Sequence, residues 1–308
     1  MSPWDTAEAS PTGNVQPRGP TGILAKKIGV VMPDHASQIK SMKLYTHIER
    51  ILNEVEALGK EPSAPLRADE ISAFDQMHYH GTSAVDDALA WTGLGADSRV
   101  LEIGSGFGGP ARHIASHSGA HVLALELQPD QDRLAAELTA RCGLTSLVDH
   151  ICGDVLTHEW NSQQFDAIVS WLAIFHIPDR DRLLAICRDI LAPGGLYFAE
   201  DMYCRNPMAP DEREELASGM YAAYLPDLDT YKGDFSAAGF EVIRCDEMSD
   251  DWTAFTSQRL MEYRAQRERH IRVHGELTYL AMEEFYELVN RHFRSGKLGG
   301  IRILARKR

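Results

Sequence analysis

The sequence predicts an α/β fold: a seven-stranded, mostly parallel sheet with helices on both faces, N-terminal helices ahead of it and a helical cover before the last strand. Three observations carry this. From Arg99 to Asp201 short apolar runs alternate with amphipathic stretches, the rhythm of a parallel sheet whose crossover helices cover both faces. The first run, Val100 to Ile103, passes into Gly104-Ser105-Gly106-Phe107-Gly108-Gly109, where glycine lets the backbone turn sharply and lets a ligand approach bare main chain. The 308 residues are 44% hydrophobic, enough for one large core or two small ones.

Taken in order, residues 1–22 are rich in Pro, Gly, Ser and Thr and read as a disordered tail. Residues 23–83 form an N-terminal helical segment, a lid or a homodimer contact. Within it Ile39, Met42, Tyr45, Ile48, Leu52 and Val55 recur at helical spacing, which predicts a helix from Asp34 to Leu58 with Asp34 as its cap. Ala64 to Asp75 reads as a linker. Phe74 to Thr82 is dense in aromatic and imidazole groups, with Tyr79 and His80 the leading candidates to reach a bound ligand. The main domain is expected over residues 84–308.

That domain begins with a helix from Ala84 to Thr92. Strands follow at Arg99–Ile103, His121–Glu126, Val148–Asp154, Phe165–Leu172 and up to Asp201, separated by helices at Ala111–Ser118, Gln131–Cys142 and Asp179–Leu191. Phe240 to Glu247 reads as a sixth strand and Gly299 to Ala305 as the last. Helical inserts are expected at about residues 204–235 and 253–296. His113, His117 and His121 read as surface groups. His78 and His80, and His270 with His274, lack a third ligand at metal spacing, so no metal is expected.

Ligands in such sheets bind at the carboxyl ends of the strands. Glu102, Glu126, Asp154 and the loop Ser170 to His176 all stand at such ends. Gly104, Gly106 and Gly109 also satisfy G-x-G-x-x-G, the dinucleotide fingerprint. A nicotinamide-dependent dehydrogenase, and a binding protein without catalysis, are the readings from other classes. Glu102 opposes the dehydrogenase, because an NAD fold usually carries an apolar residue there.

In order and spacing, these strands and their terminal carboxylates resemble the motif series of class I S-adenosylmethionine-dependent methyltransferases, which have a Rossmann-like sheet. The Tyr79 segment, Val100 to Pro110, Ser170 to His176, Asp201 and Ser295-Gly296-Lys297-Leu298-Gly299-Gly300 narrow the resemblance to the sarcosine/dimethylglycine and phosphoethanolamine methyltransferase group. The resemblance implies S-adenosylmethionine as cofactor, held by Glu102, Gly104, Ser105, Gly106, Glu126, Leu127, Gly153, Asp154, Val155 and Ser170. In it Glu126 takes the ribose hydroxyls and Asp154 the adenine amino group. Tyr79, His80, Trp171 and His176 are the implied catalytic residues, and Leu172, Tyr221, Tyr224 and Lys297 the implied substrate contacts.

Two departures from that group bear on the substrate. Relatives that hold an amine carry Asp-Ala-x-x-His after the fourth strand, and here the run is Leu172-Ala173-Ile174-Phe175-His176. Tyr221 to Tyr231 contains no arginine for a phosphate. A thioether acceptor has no proton to lose and needs no base, and aromatic faces suit its onium product. The leading expectation is therefore S-methylation of a small thioether acid such as 4-methylthio-2-hydroxybutyrate, on the route to the osmolyte dimethylsulfoniopropionate. N-methylation of sarcosine or dimethylglycine towards glycine betaine is the alternative, with Glu200 or Asp201 standing in for the missing carboxylate.

The net charge is −14, which opposes a nucleic-acid partner, since phosphate binding needs clustered Lys and Arg. No apolar run approaches the roughly 20 residues of a membrane span. The five cysteines are scattered without a C-x-x-C pair and read as buried, reduced thiols of a cytoplasmic protein.

Overall fold

The computed structural model describes residue 39 and residues 41–308. The expected tail, residues 1–22, and the proposed cap Asp34 lie outside the described residues. Seven strands, β1 (Arg99–Ile103), β2 (His121–Glu126), β3 (Val148–Cys152), β4 (Phe165–Trp171), β5 (Leu191–Cys204), β6 (Phe240–Glu247) and β7 (Leu298–Lys307), form one sheet in the order β3-β2-β1-β4-β5-β7-β6. β1 to β5 pair in parallel. β7 runs antiparallel between β5 and β6.

Successive strand residues point to opposite faces of a sheet, and the core divides accordingly. Leu101, Ile103, Leu123, Leu125 and Ile168 enter one apolar cluster. Val100, Val122, Ala124 and Val169 enter the other, against the helices Thr82–Thr92 and Gly109–Ser118. Both faces being covered explains why these strands read as continuous apolar runs. The chain order reverses between β1 and β4, and a crevice opens there at the strands' carboxyl ends.

Two further clusters attach the remaining helices. Ile51, Val55, Leu66 and Ile71 pack on Phe107, Leu134 and Leu138. Met42, Tyr79, Phe175, Met202, Trp252 and Phe293 fill the space between the sheet's end and the helices Ser249–Ala265 and Glu276–Arg294. The paired glycines of β7 have a packing reason. A Cβ on Gly299 would lie 2.3 Å from the Tyr203 ring, and one on Gly300 2.3 Å from the Trp252 ring.

The N-terminal segment departs from expectation in two places. The single helix expected up to Leu58 is broken at His47 into Lys43–Thr46 and Glu49–Ala57. Arg50 stabilises the break by donating to the carbonyls of Leu44 and His47, both at 2.9 Å. The expected linker contains a helix, Ala68–Asp75, whose first turn is closed by the Arg67 N–H donating to the Glu70 carboxylate at 3.0 Å. It delivers Asp75 to Arg112, 2.8 Å away, both side chains about 1% exposed.

Two smaller readings also change. His113 is buried and bonds Asp86 at 2.6 Å rather than lying on the surface. Cys152 is exposed, whereas Cys187 and Cys204 are buried, and all five thiols are free. No helix among the described residues is long and apolar enough to cross a membrane.

Candidate active site

A cavity of about 950 Å³ opens at the carboxyl ends of β1 to β4. Its floor is the turn after β1. Gly104 and Gly106 have φ of +75° and +54°, conformations that side chains with a Cβ rarely adopt. A Cβ on Gly104 would stand 2.3 Å from that of Ala173. The Gly104 and Ser105 N–H groups donate to the Leu125 carbonyl at 2.9 and 3.0 Å, which holds the turn against the end of β2.

Glu126 completes this brace. Its Oε2 accepts from the Gly106 N–H at 2.8 Å and its Oε1 from Gln128 at 2.9 Å. Burial raises its pKa against those hydrogen bonds. Each carboxylate oxygen has a second lone pair, so Glu126 can still accept from paired hydroxyls of a ligand. Glu102 is 1% exposed, and burial pushes its carboxyl well above the usual range despite the pull of Arg112. Asp154 caps its own turn, with Oδ1 accepting from the Leu156 N–H at 2.8 Å. Leu127, Gly153 and Val155 also line this end.

Several cavity-lining polar atoms at this end are buried with no partner: Glu102 Oε2, Ser105 Oγ and both amide atoms of Gln131. Such atoms are costly to leave unpaired. Together they form a cradle complementary to a polar ligand that carries hydroxyls and nitrogens.

The opposite end is aromatic and thioether-rich. Met42, Tyr45, Phe175, Met202, Phe255 and Tyr286 line it. Trp171 also faces the cavity, with its ring 5.5 Å from that of His78. His78 Nε2–H donates to the Gly81 carbonyl, 3.0 Å away, and burial lowers its pKa to about 4. Leu172 lines the cavity at φ +53°, its N–H bonded to the Glu200 carbonyl at 2.8 Å. His176 is buried, with Nδ1 2.9 Å from the Tyr221 carbonyl and Nε2 3.4 Å from the Tyr45 hydroxyl.

Tyr79 sits among Trp252, Phe255 and Phe293, at ring separations of 4.8, 5.3 and 6.2 Å. Burial raises its phenol to about 12, against the pull of Arg259. His80, also lining the cavity, bonds Asp251 at 2.6 Å.

Four expected site residues lie elsewhere. Ser170 spends its hydroxyl on the Ile103 carbonyl at 2.8 Å, between β4 and β1, and does not line the cavity. Tyr224 bonds Asp234 at 2.8 Å and covers the Arg180 guanidinium. Lys297 bonds the Pro207 carbonyl at 2.8 Å and pairs with Glu212 at 3.0 Å. Tyr221 turns its hydroxyl to Ser41.

The two stand-in carboxylates are also committed. Glu200 pairs with Arg302 at 2.6 Å, and Asp201 is held by Tyr231 at 2.9 Å and Arg180 at 3.4 Å. Burial raises them to about 7 and about 6, against the pull of Arg302 and Arg180 respectively.

The fold brings in residues that the sequence reading passed over. Tyr45 and Arg50 arrive from the N-terminal helices and Arg259 from the cover. Glu54 joins His270 and His274 as a third group of ligand type. His274 Nε2 lies 2.9 Å from Glu54, but Arg269 grips both Glu54 oxygens, at 2.8 and 2.6 Å.

Comparison with known proteins agrees with this architecture. Residues 101–199 match the family described as a methyltransferase domain. The chain is similar to 24-methylenesterol C-methyltransferase 2 of Arabidopsis thaliana, 28% identical over 66% of this chain and 57% of that protein. It is also similar to glycine/sarcosine/dimethylglycine N-methyltransferase of Actinopolyspora halophila, 26% identical over 51% of this chain and 28% of that protein. The chain thus spans about half the length, or less, of these curated relatives.

Among solved structures, phosphoethanolamine N-methyltransferase 2 of Haemonchus contortus, bound to phosphomonomethylethanolamine and S-adenosylhomocysteine, superposes with a TM-score of 0.75 at 19% identity. That match covers 90% of this chain and 60% of the other. The glycine turn with its bracing glutamate lies inside the segment that matches the methyltransferase-domain family, and the sheet has the Rossmann-like fold of that solved structure.

Proposed function

We propose that this protein transfers a methyl group from S-adenosylmethionine to a small thioether acid, such as 4-methylthio-2-hydroxybutyrate. The carrying observation is the two-ended cavity: a polar cradle with unpartnered buried atoms at one end and an aromatic chamber at the other. The residues of the cradle suit this cofactor. Glu126 would take the ribose hydroxyls, Asp154 the adenine amino group, and Glu102, Ser105 and the glycine turn the amino-acid end. When bound, S-adenosylmethionine supplies an electrophilic methyl group on a sulfonium.

The chain's own contribution is placement and exclusion of water. Holding two reactants in attack geometry is worth about 7–11 kcal/mol. The helices Lys43–Thr46 and Glu49–Ala57, whose Met42, Tyr45 and Ile51 neighbourhood faces the cavity, act as a lid in this reading. Trp171 and Tyr45 offer π faces to a cationic product, about 0.5–2 kcal/mol each, while the Tyr79 ring already faces the Arg259 guanidinium. His176 would orient the acceptor through its bonds to Tyr45 and the Tyr221 carbonyl.

Sulfur is favoured over nitrogen because of what stands at the acceptor end. Leu172 fills the position where amine-holding relatives carry a carboxylate, and Glu200 and Asp201 are consumed by Arg302 and Arg180. The lining carboxylates Glu54, Glu70 and Asp75 are paired with Arg269, Lys60 and Arg112. A neutral acceptor atom faces no desolvation penalty in such a place.

The test is a transfer assay with methyl-labelled S-adenosylmethionine against 4-methylthio-2-hydroxybutyrate, sarcosine and dimethylglycine. Label in a sulfonium product is the expected outcome. Label on the amino acids alone overturns the sulfur assignment and leaves N-methylation.

A further inference from the structure

Arg259 lies on the helix Ser249–Ala265, in the cover, and lines the cavity. Its guanidinium carbon sits 4.3 Å from the Tyr286 ring centroid, 4.9 Å from that of Tyr79 and 5.6 Å from that of Phe255. Three rings therefore surround the group. The guanidinium also bonds the Tyr79 hydroxyl, yet Arg259 Nε and Nη2 are both buried without a hydrogen-bond partner of their own. No carboxylate pairs with Arg259 among the described residues, whereas Arg264 and Arg269, on the same helix and the next one, pair with Glu283 and Glu54.

The pattern of the two free atoms is informative. Nε–H and Nη2–H point the same way along one edge of the guanidinium, and that edge matches the two oxygens of a carboxylate or of a phosphate face. Buried donors without partners are unfavourable in the empty protein, so the edge is pre-formed for a ligand. Neighbouring cations do not compete for that role. Arg50 has its Nη1 turned to the Leu44 and His47 carbonyls, and Lys297 is tied to Pro207 and Glu212.

We propose that Arg259 is the anion-binding subsite of the acceptor pocket, and that it selects acceptors bearing a carboxylate. This rests on the methyl-transfer reading only for the word acceptor. The geometry calls for an anionic small molecule beside the aromatic chamber, whichever of its atoms is methylated. A bidentate pair here orients a short acceptor as well as binding it. Tyr79 and Tyr286 hold the guanidinium and are positioning residues for it.

The experiment separates the subsite from the reaction. Protein saturated with S-adenosylhomocysteine is titrated with 4-methylthio-2-hydroxybutyrate and with its neutral amide, and likewise with dimethylglycine and its amide. Binding needs no turnover, so failure of the proposed reaction leaves this readout intact. The wild type should prefer at least one acid over its amide by about tenfold or more, because a charged bidentate bond is lost in the amide.

Arg259→Met should abolish that preference while S-adenosylhomocysteine binding stays unchanged, and Arg259→Lys should restore part of it. Equal binding of acids and amides by the wild type overturns the proposal. So does an acid preference that survives in Arg259→Met. A loss of S-adenosylhomocysteine affinity equal to the loss of acid affinity in Arg259→Met also overturns it, because the residue then serves packing.

Discussion

Glu126 Oε2 accepts the Gly106 N–H at 2.8 Å, so the carboxylate at the end of β2 braces the turn that follows β1. The same group has lone pairs left for a ligand, and bracing and binding therefore fail together. Glu126→Ala should weaken S-adenosylmethionine binding by about 10–100-fold, the loss of one or two hydrogen bonds to a charged acceptor. Calorimetry with S-adenosylhomocysteine measures it. Full affinity in the variant would remove Glu126 from the site.

Asp154 uses Oδ1 to cap its turn at Leu156, which leaves Oδ2 for a donor on the ligand. Asp154→Asn can keep the cap while setting an amide N–H₂ where an acceptor stood. S-adenosylhomocysteine affinity should drop by about tenfold, the scale of one lost charged hydrogen bond, with the melting temperature held. An unaltered affinity would mean that the end of β3 does not meet the adenine.

Leu172 stands at φ +53° on the cavity wall. Aspartate tolerates that conformation better than most residues, so Leu172→Asp should fold. The new carboxylate must be desolvated and repels an acidic acceptor. Thioether methylation should fall by about tenfold or more, since a repulsion of 1.4 kcal/mol already costs that factor. Undiminished thioether activity would show that Leu172 does not face the acceptor.

Glu54 ties the helix Glu49–Ala57 to the helix Arg267–His274 through Arg269 and His274. Burial alone would raise its carboxyl, but those two hydrogen bonds overcome this and bring it from 4.5 to about 2. The folded state thus binds this proton less readily than the unfolded state. The resulting stability is present above about pH 4.5 and is lost as pH falls towards 2. Glu54→Gln should lower the melting temperature at pH 7 and approach the wild type at low pH. Parallel melting curves for the two proteins across that range would contradict the tie.

The sheet was legible because a strand covered on both faces must be apolar throughout, and Val100 to Ile103 and Phe165 to Trp171 are such runs. Glu102, Glu126 and Asp154 stood out because a carboxylate closing an apolar strand has few structural reasons to be there, and all three line the cavity. Ser170 and Lys297 also sit inside recognisable motifs, and their side chains bond within the fold, Ser170 joining β4 to β1 and Lys297 reaching the Pro207 carbonyl.

Tyr45, Arg50 and Arg259 escaped notice because they reach the cavity from helices at opposite ends of the chain. On a helix a tyrosine at core spacing reads as packing, and an arginine as a solvated group. Only the tertiary arrangement shows that Arg259 Nε and Nη2 face no partner.

The central claim is that the cradle at the ends of β1 to β3 holds S-adenosylmethionine. Its most direct test is a calorimetric titration of the full chain with S-adenosylhomocysteine and, separately, with NAD. One equivalent of S-adenosylhomocysteine should bind, with no heat from NAD. Binding of NAD, or no binding of S-adenosylhomocysteine, would contradict the account.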